Sequence, residues 1–225
     1  MKEWISKCLS AFFCVGFLFR ICSTPAYAAE MYPGYPIKWA NSSGRTITVT
    51  YRIHETSNFL PSRLISNLGP GLRYWNTAGT ISLTYDSTAS FSARGMVAFK
   101  IPSETFWRNP FGATNAPTTP GYTQAFDTNG TLLSSSSVVS STRQVNHSII
   151  YFNPFDHYWT GTEEELYMDA KTDHFMRHVI AHEFGHALGF GHTSQNTDSI
   201  MTPEIQVAYP QLSSSDISNF RAKYA

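Results

Sequence analysis

Cysteine is confined to one end of this chain. Cys8, Cys14 and Cys22 all fall in the first 28 residues, which read as a secretory signal peptide. Lys2 and Lys7 form a basic start, Cys8 to Phe19 an apolar stretch, and Ala26-Tyr27-Ala28 a small-x-small cleavage site. From Ala29 onward there is no thiol. This excludes a disulfide, a cysteine nucleophile and a thiolate metal ligand. Export permits disulfides, so an exported chain without them must rely on an apolar core or a bound metal. Long apolar runs are lacking too. The stretch before Arg20 is too short to span a bilayer as a helix. An uncleaved anchor is therefore the weaker reading, and a secreted, extracellular protein without stable membrane association is expected. Charge is scarce, at 14%. Of 16 basic and 16 acidic residues, the leader holds Lys2, Lys7, Arg20 and Glu3, which leaves 13 and 15. With no basic surplus, neither nucleic acid nor an anionic membrane is expected as a partner.

Roughly 200 residues remain from Ala29 to Ala225, enough for one domain with its own core, expected as a monomer. Thr46–Ile53 alternates β-branched residues and predicts a strand. Leu60, Leu64, Leu68, Leu72 and Trp75 share one helical face, with a break or restart expected at Pro70. Short strands are expected at 81–85, 95–101, 122–126 and 146–153, and a long loop over 102–121. Asp127 to Gly130 predicts a turn, with calcium contact by Asp127 and Asn129 the less favoured reading. Residues 134–137 suit a polar surface loop, and Glu163 to Glu165 a solvated helix start. A helix capped by Thr172 or Asp173 should run through Leu188 and stop at Gly189 and Gly191. Ser213 to Asp216 opens a last helix with Ile217, Phe220 and Tyr224 on one face. The order of elements is α+β, with helices supporting one twisted sheet.

The chemistry lies in residues 182–192, H-E-F-G-H-A-L-G-F-G-H. His182 and His186 are four apart, so a helix puts both imidazoles on one face, within reach of one zinc ion. Glu183 projects beside that metal and is placed to take a proton from water. A straight helix would carry a third ligand away, but Gly189 lets the chain turn so that His192 returns toward the ion. Three neutral histidines leave one position open, as in a catalytic zinc site. A closed structural site needs no base, so Glu183 argues against it. His178, one turn earlier, fits a hydrogen bond to the ligand sphere, though an ordinary partly exposed histidine suits the spacing better. His54, His147, His157 and His174 have no ligand spacing.

These eleven residues resemble the long zinc signature of the metzincin peptidases. Asp198 to Pro203 resembles the methionine turn of that group, with Met201 as the apolar floor beneath the ligands. Thr193 after the third histidine, and the absence of a tyrosine ligand two residues after Met201, make the chain most similar to the matrixins, especially short bacterial members. Trp39, Thr46–Ile53, Trp75 and the segment from Leu212 to Tyr224 extend the resemblance over most of 37–225. It implies a metzincin-like catalytic domain over 29–225, with a mostly parallel twisted sheet, an active-site helix and a C-terminal helix. It implies one catalytic zinc held by His182, His186 and His192, and zinc-activated water hydrolysing peptide bonds with Glu183 as general base. It implies a pocket wall at Pro203, Glu204 and Ile205, and an extended polypeptide substrate beside an edge strand near Gly121–Phe126. The histidine and aspartate set for a second, structural zinc is missing from 102–153, and calcium, although possible, has no identifiable ligands. No cysteine latch is expected. Two alternatives remain at this level: a zinc-binding module without catalysis, and a narrow self-processing or exopeptidase activity.

Overall fold

The computed structural model describes residues 37–54, 60–115, 119–133, 144–154, 172–193, 198–203 and 211–225. The signal-peptide reading, the loop at 134–137, Glu163 to Glu165, His157, Glu204 and Ile205 lie outside these residues. Eight strands are described: β1 (Lys38–Trp39), β2 (Ser42–Ser43), β3 (Thr46–Ile53), β4 (Thr80–Tyr85), β5 (Met96–Lys100), β6 (Gly121–Phe126), β7 (Gln144–Val145) and β8 (His147–Phe152). Four α-helices accompany them: α1 (Ser62–Leu72), α2 (Glu104–Asn115), α3 (Thr172–Ala187) and α4 (Ser214–Lys223). The main sheet runs β4-β3-β5-β8 in parallel, and β6 closes it antiparallel to β8. The mixed, mostly parallel sheet with helices against it is the α+β arrangement expected.

The apolar face read from the sequence forms the core. Leu60, Leu64, Leu68, Leu72 and Trp75 are all buried. At about 2 kcal/mol for each buried leucine, this face is what holds α1 in place. The helix does not break at Pro70, contrary to expectation. It continues to Leu72 and passes into a 3-10 turn, Arg73–Thr77. Tight packing accounts for this: a Cβ on Gly71 would lie 2.7 Å from Ile180, so glycine brings α1 against α3.

The expected loop at 102–121 is also corrected, because Glu104–Asn115 is helical. The Ser103 hydroxyl accepts from the Phe106 amide at 3.2 Å, Glu104 lies in the first turn, and Trp107 is fully buried beside Tyr151. The anchoring aromatics are distant in sequence, and the Pro- and Asn-rich composition hides the helix. Asp127 makes the expected turn, its Oδ1 accepting from the amides of Asn129 and Thr131. Asn146, which immediately precedes β8, is buried and donates to the Ser92 carbonyl.

Candidate metal centre

α3 is buried almost all round from His178 to its end. It lies between α1 and the edge strand β6. Asp173 in its first turn accepts from Arg63 and Asn67 of α1. Its far end is a Schellman turn: the Phe190 amide donates to the Gly185 carbonyl, and the Gly189 amide to that of His186. Gly189 takes φ +84°, which an L side chain rarely adopts. Gly191 is not among the left-handed glycines, so the stop belongs to Gly189 alone. β1 and the C-terminal end of α4 brace this turn. Tyr224 donates to the Leu188 carbonyl and accepts from the Trp39 amide, while Lys223 donates to the Gly189 carbonyl.

The turn brings His192 back to His182 and His186. His182 Nε2 lies 3.1 Å from His186 Nε2 and 3.2 Å from His192 Nε2. Ligand nitrogens at tetrahedral angles around zinc, each about 2.05 Å from it, stand about 3.3 Å apart. The other ring nitrogens explain why this convergence suits a cation. His182 Nδ1 donates to the Ile200 carbonyl at 2.7 Å, and His186 Nδ1 to the Phe190 carbonyl at 2.8 Å. The proton of each ring is thereby placed on Nδ1, and the Nε2 lone pairs face one another. Such an arrangement is repulsive without a positive ion between them. Burial, and after it the neighbouring histidines, holds His182 well below its ordinary value, while burial and His192 hold His186 at about 3. Both rings are thus in the neutral form that binds metal. Among the described residues no other cluster of His, Asp or Glu has ligand geometry, and calcium gains no support.

Glu183 is 5% exposed beside this triad. Its Oε2 accepts from the Thr123 hydroxyl at 2.8 Å. Burial pushes its carboxyl up to about 8, with the Thr123 hydrogen bond opposing. A bound dication favours the carboxylate and pulls the value back down. Met201 is buried under α3, where a Cβ on Gly185 would lie 2.3 Å from its sulfur. Its carbonyl accepts from the Thr193 amide, which ties the turn to the segment after His192. Asp216 of α4 holds the same turn, accepting from the Ile200 amide and the Ser199 hydroxyl. Trp75 donates from its indole to the Ala181 carbonyl and stacks on Phe190.

His182, Glu183, His186, His192 and Met201 are therefore brought together as the spacing predicts, with Pro203 at the end of the turn. His178 is corrected: it is buried, not partly exposed. His174 stays on the surface, His54 stacks on Phe91 and His147 on Phe126, all outside the triad. Sequence reading missed the hold of Thr123 on Glu183, the hold of Asp216 on Ser199 and Ile200, and the two orienting carbonyls. A comparison with curated proteins finds no match. The family model for matrixin matches residues 38–225, from the first strand of the fold through the histidine triad to the last helix. That span takes in nearly all of the folded chain as well as its metal centre, and the chain belongs to the matrixins, a family of zinc metalloendopeptidases.

Proposed function

We propose that this is a secreted endopeptidase with residues 1–28 as its signal peptide and 29–225 as the catalytic domain. In this reading His182, His186 and His192 hold the catalytic zinc and Glu183 is the general base. The observation that carries the reading is the convergence of three Nε2 atoms beside the buried Glu183. Zinc, when bound, supplies Lewis acidity toward water and the substrate carbonyl. Glu183 takes the proton from the attacking water and passes it to the leaving amine. Met201 and the carbonyls of Ile200 and Phe190 keep the ligand rings in one orientation.

β6 is suited to bind the substrate. It is the last strand of the sheet among the described strands, and the Leu133 amide donates to Ala125 O on the side away from β8. Outward main-chain groups recur every second residue. Those of Gly121 and Thr123 therefore face the same side, away from β8, where no other described strand pairs with them, and can pair with an extended peptide of any sequence. Pro203 begins the pocket wall that Glu204 and Ile205 would continue. None of the helices described is long and apolar enough to cross a membrane.

The test is cleavage of casein and of a mixed peptide library by the wild type and Glu183→Ala, with and without a chelator. Internal cleavage by the wild type alone, abolished by chelator and restored by zinc, is the expected result. Absence of chelator-sensitive cleavage would overturn the reading, and cleavage confined to chain ends would replace it with an exopeptidase. A precursor exported with residues 1–28 intact would refute the signal assignment.

A further inference from the structure

We propose that Thr123 is the positioning residue for the Glu183 carboxylate and links the substrate-binding edge to the base. This rests on the reading of Glu183 as general base. Gly121 and Thr123 lie two apart on β6, so both face α3 and Glu183. They act on that side chain in complementary ways. A Cβ on Gly121 would lie 2.7 Å from Glu183 Oε1 and 2.8 Å from its Cγ, so glycine leaves the carboxylate its space. Thr123 is 5% exposed, and its hydroxyl stands 2.8 Å from Oε2. One oxygen is held while the other fills the space that Gly121 leaves.

A valine would suit this strand position equally well in shape and would bury no polar atom. The hydroxyl therefore needs a reason to be there, and Glu183 supplies it. The same hydroxyl also stands 2.9 Å from the Glu183 backbone carbonyl. It has one proton and two acceptors. Toward a carboxylate, the charge-assisted bond to Oε2 is the stronger. Threonine is stiff at χ1, so its oxygen stays where the strand places it. Because the main chain of Thr123 faces the edge of β6 away from β8, a peptide paired there is registered against the residue that orients the base.

The experiment compares Thr123→Val, Thr123→Ala, Thr123→Ser and Glu183→Gln with the wild type. It uses an internally quenched peptide that the wild type cleaves, with bound zinc and thermal unfolding measured alongside. Loss of the hydroxyl should lower kcat by about tenfold or more, with KM within about twofold and zinc content unchanged. Serine should restore kcat to within about threefold of the wild type. If valine does not fold, alanine against serine decides the matter. A valine or alanine variant with kcat within about twofold of the wild type overturns the proposal, as does a serine variant as impaired as the alanine one. An inactive Glu183→Gln beside an unaffected Thr123→Val would remove Thr123 alone. A fully active Glu183→Gln would remove the base reading, and the proposal with it.

Discussion

Asp216 is the residue whose loss should reach furthest from its own position. It sits in the first turn of α4 and is 3% exposed. Its Oδ2 accepts from the amides of Ile200 and Ser213, both at 2.9 Å, and its Oδ1 from the Ser199 hydroxyl. It therefore completes the capping box of α4 and holds the methionine turn. Asp216→Ala would leave the buried Ile200 amide without its charged acceptor, at a cost of about 2–3 kcal/mol. Loss of half the capping box adds about 1 kcal/mol. The sum, about 3–4 kcal/mol, is a large part of the 5–15 kcal/mol typical of a whole domain. A second effect follows because the Ile200 carbonyl orients His182. Loosening of that turn should weaken zinc binding by about tenfold. Urea denaturation with zinc in excess should show a lower midpoint and an unchanged slope. Competition with a chelating dye reads the affinity. Stability within about 1 kcal/mol of the wild type, together with unchanged zinc affinity, would refute the reasoning.

Gly185→Ala should lower the melting temperature. A Cβ there would lie 2.3 Å from Met201 Sδ and 2.9 Å from Trp75, and overpacking of about 1–3 kcal/mol outweighs the gain of about 1 kcal/mol in helix propensity. A raised melting temperature would show that Met201 yields freely. In the zinc-free protein, Glu183 should make stability fall as pH rises. Its folded value of about 8 exceeds the ordinary 4.5, so between these values the folded chain keeps a proton that the unfolded chain loses. His186, held at about 3, has the opposite sign, and its contribution is lost as pH falls from 6.5 toward 3. Urea midpoints between about pH 5 and pH 9 should therefore decline less steeply in Glu183→Gln than in the wild type, and parallel curves would sink the assignment.

The legible elements were those whose signal lies within a few residues. β3 has the bounds that its alternation predicts, and the five apolar residues from Leu60 to Trp75 are buried as their spacing requires. The last helix opens where Ser213 to Asp216 predicts, and there Ser213 and Asp216 form a capping box. Misreadings occurred where a distant partner overrides local preference. Pro70 remains helical because Gly69 and Gly71 let α1 close on neighbouring elements. α2 forms in a stretch whose composition suits a loop, because Trp107 finds a pocket beside Tyr151 of β8. His178 is buried by elements that its own helix does not reveal.

The metal centre divides along the same line. The convergence of His182, His186 and His192 was legible in the sequence, because a fourfold spacing on a helix and one glycine able to turn left-handed are local facts of backbone geometry. Its working state was decided only by tertiary structure. Ile200 and Phe190 choose the tautomers of His182 and His186, Asp216 holds the turn that carries Ile200, and β6 brings Gly121 and Thr123 to Glu183 across some 60 residues of chain. Protonation, orientation and the acidity of a carboxylate depend on what surrounds it in space. A motif specifies which atoms are available, and the fold specifies which way they face.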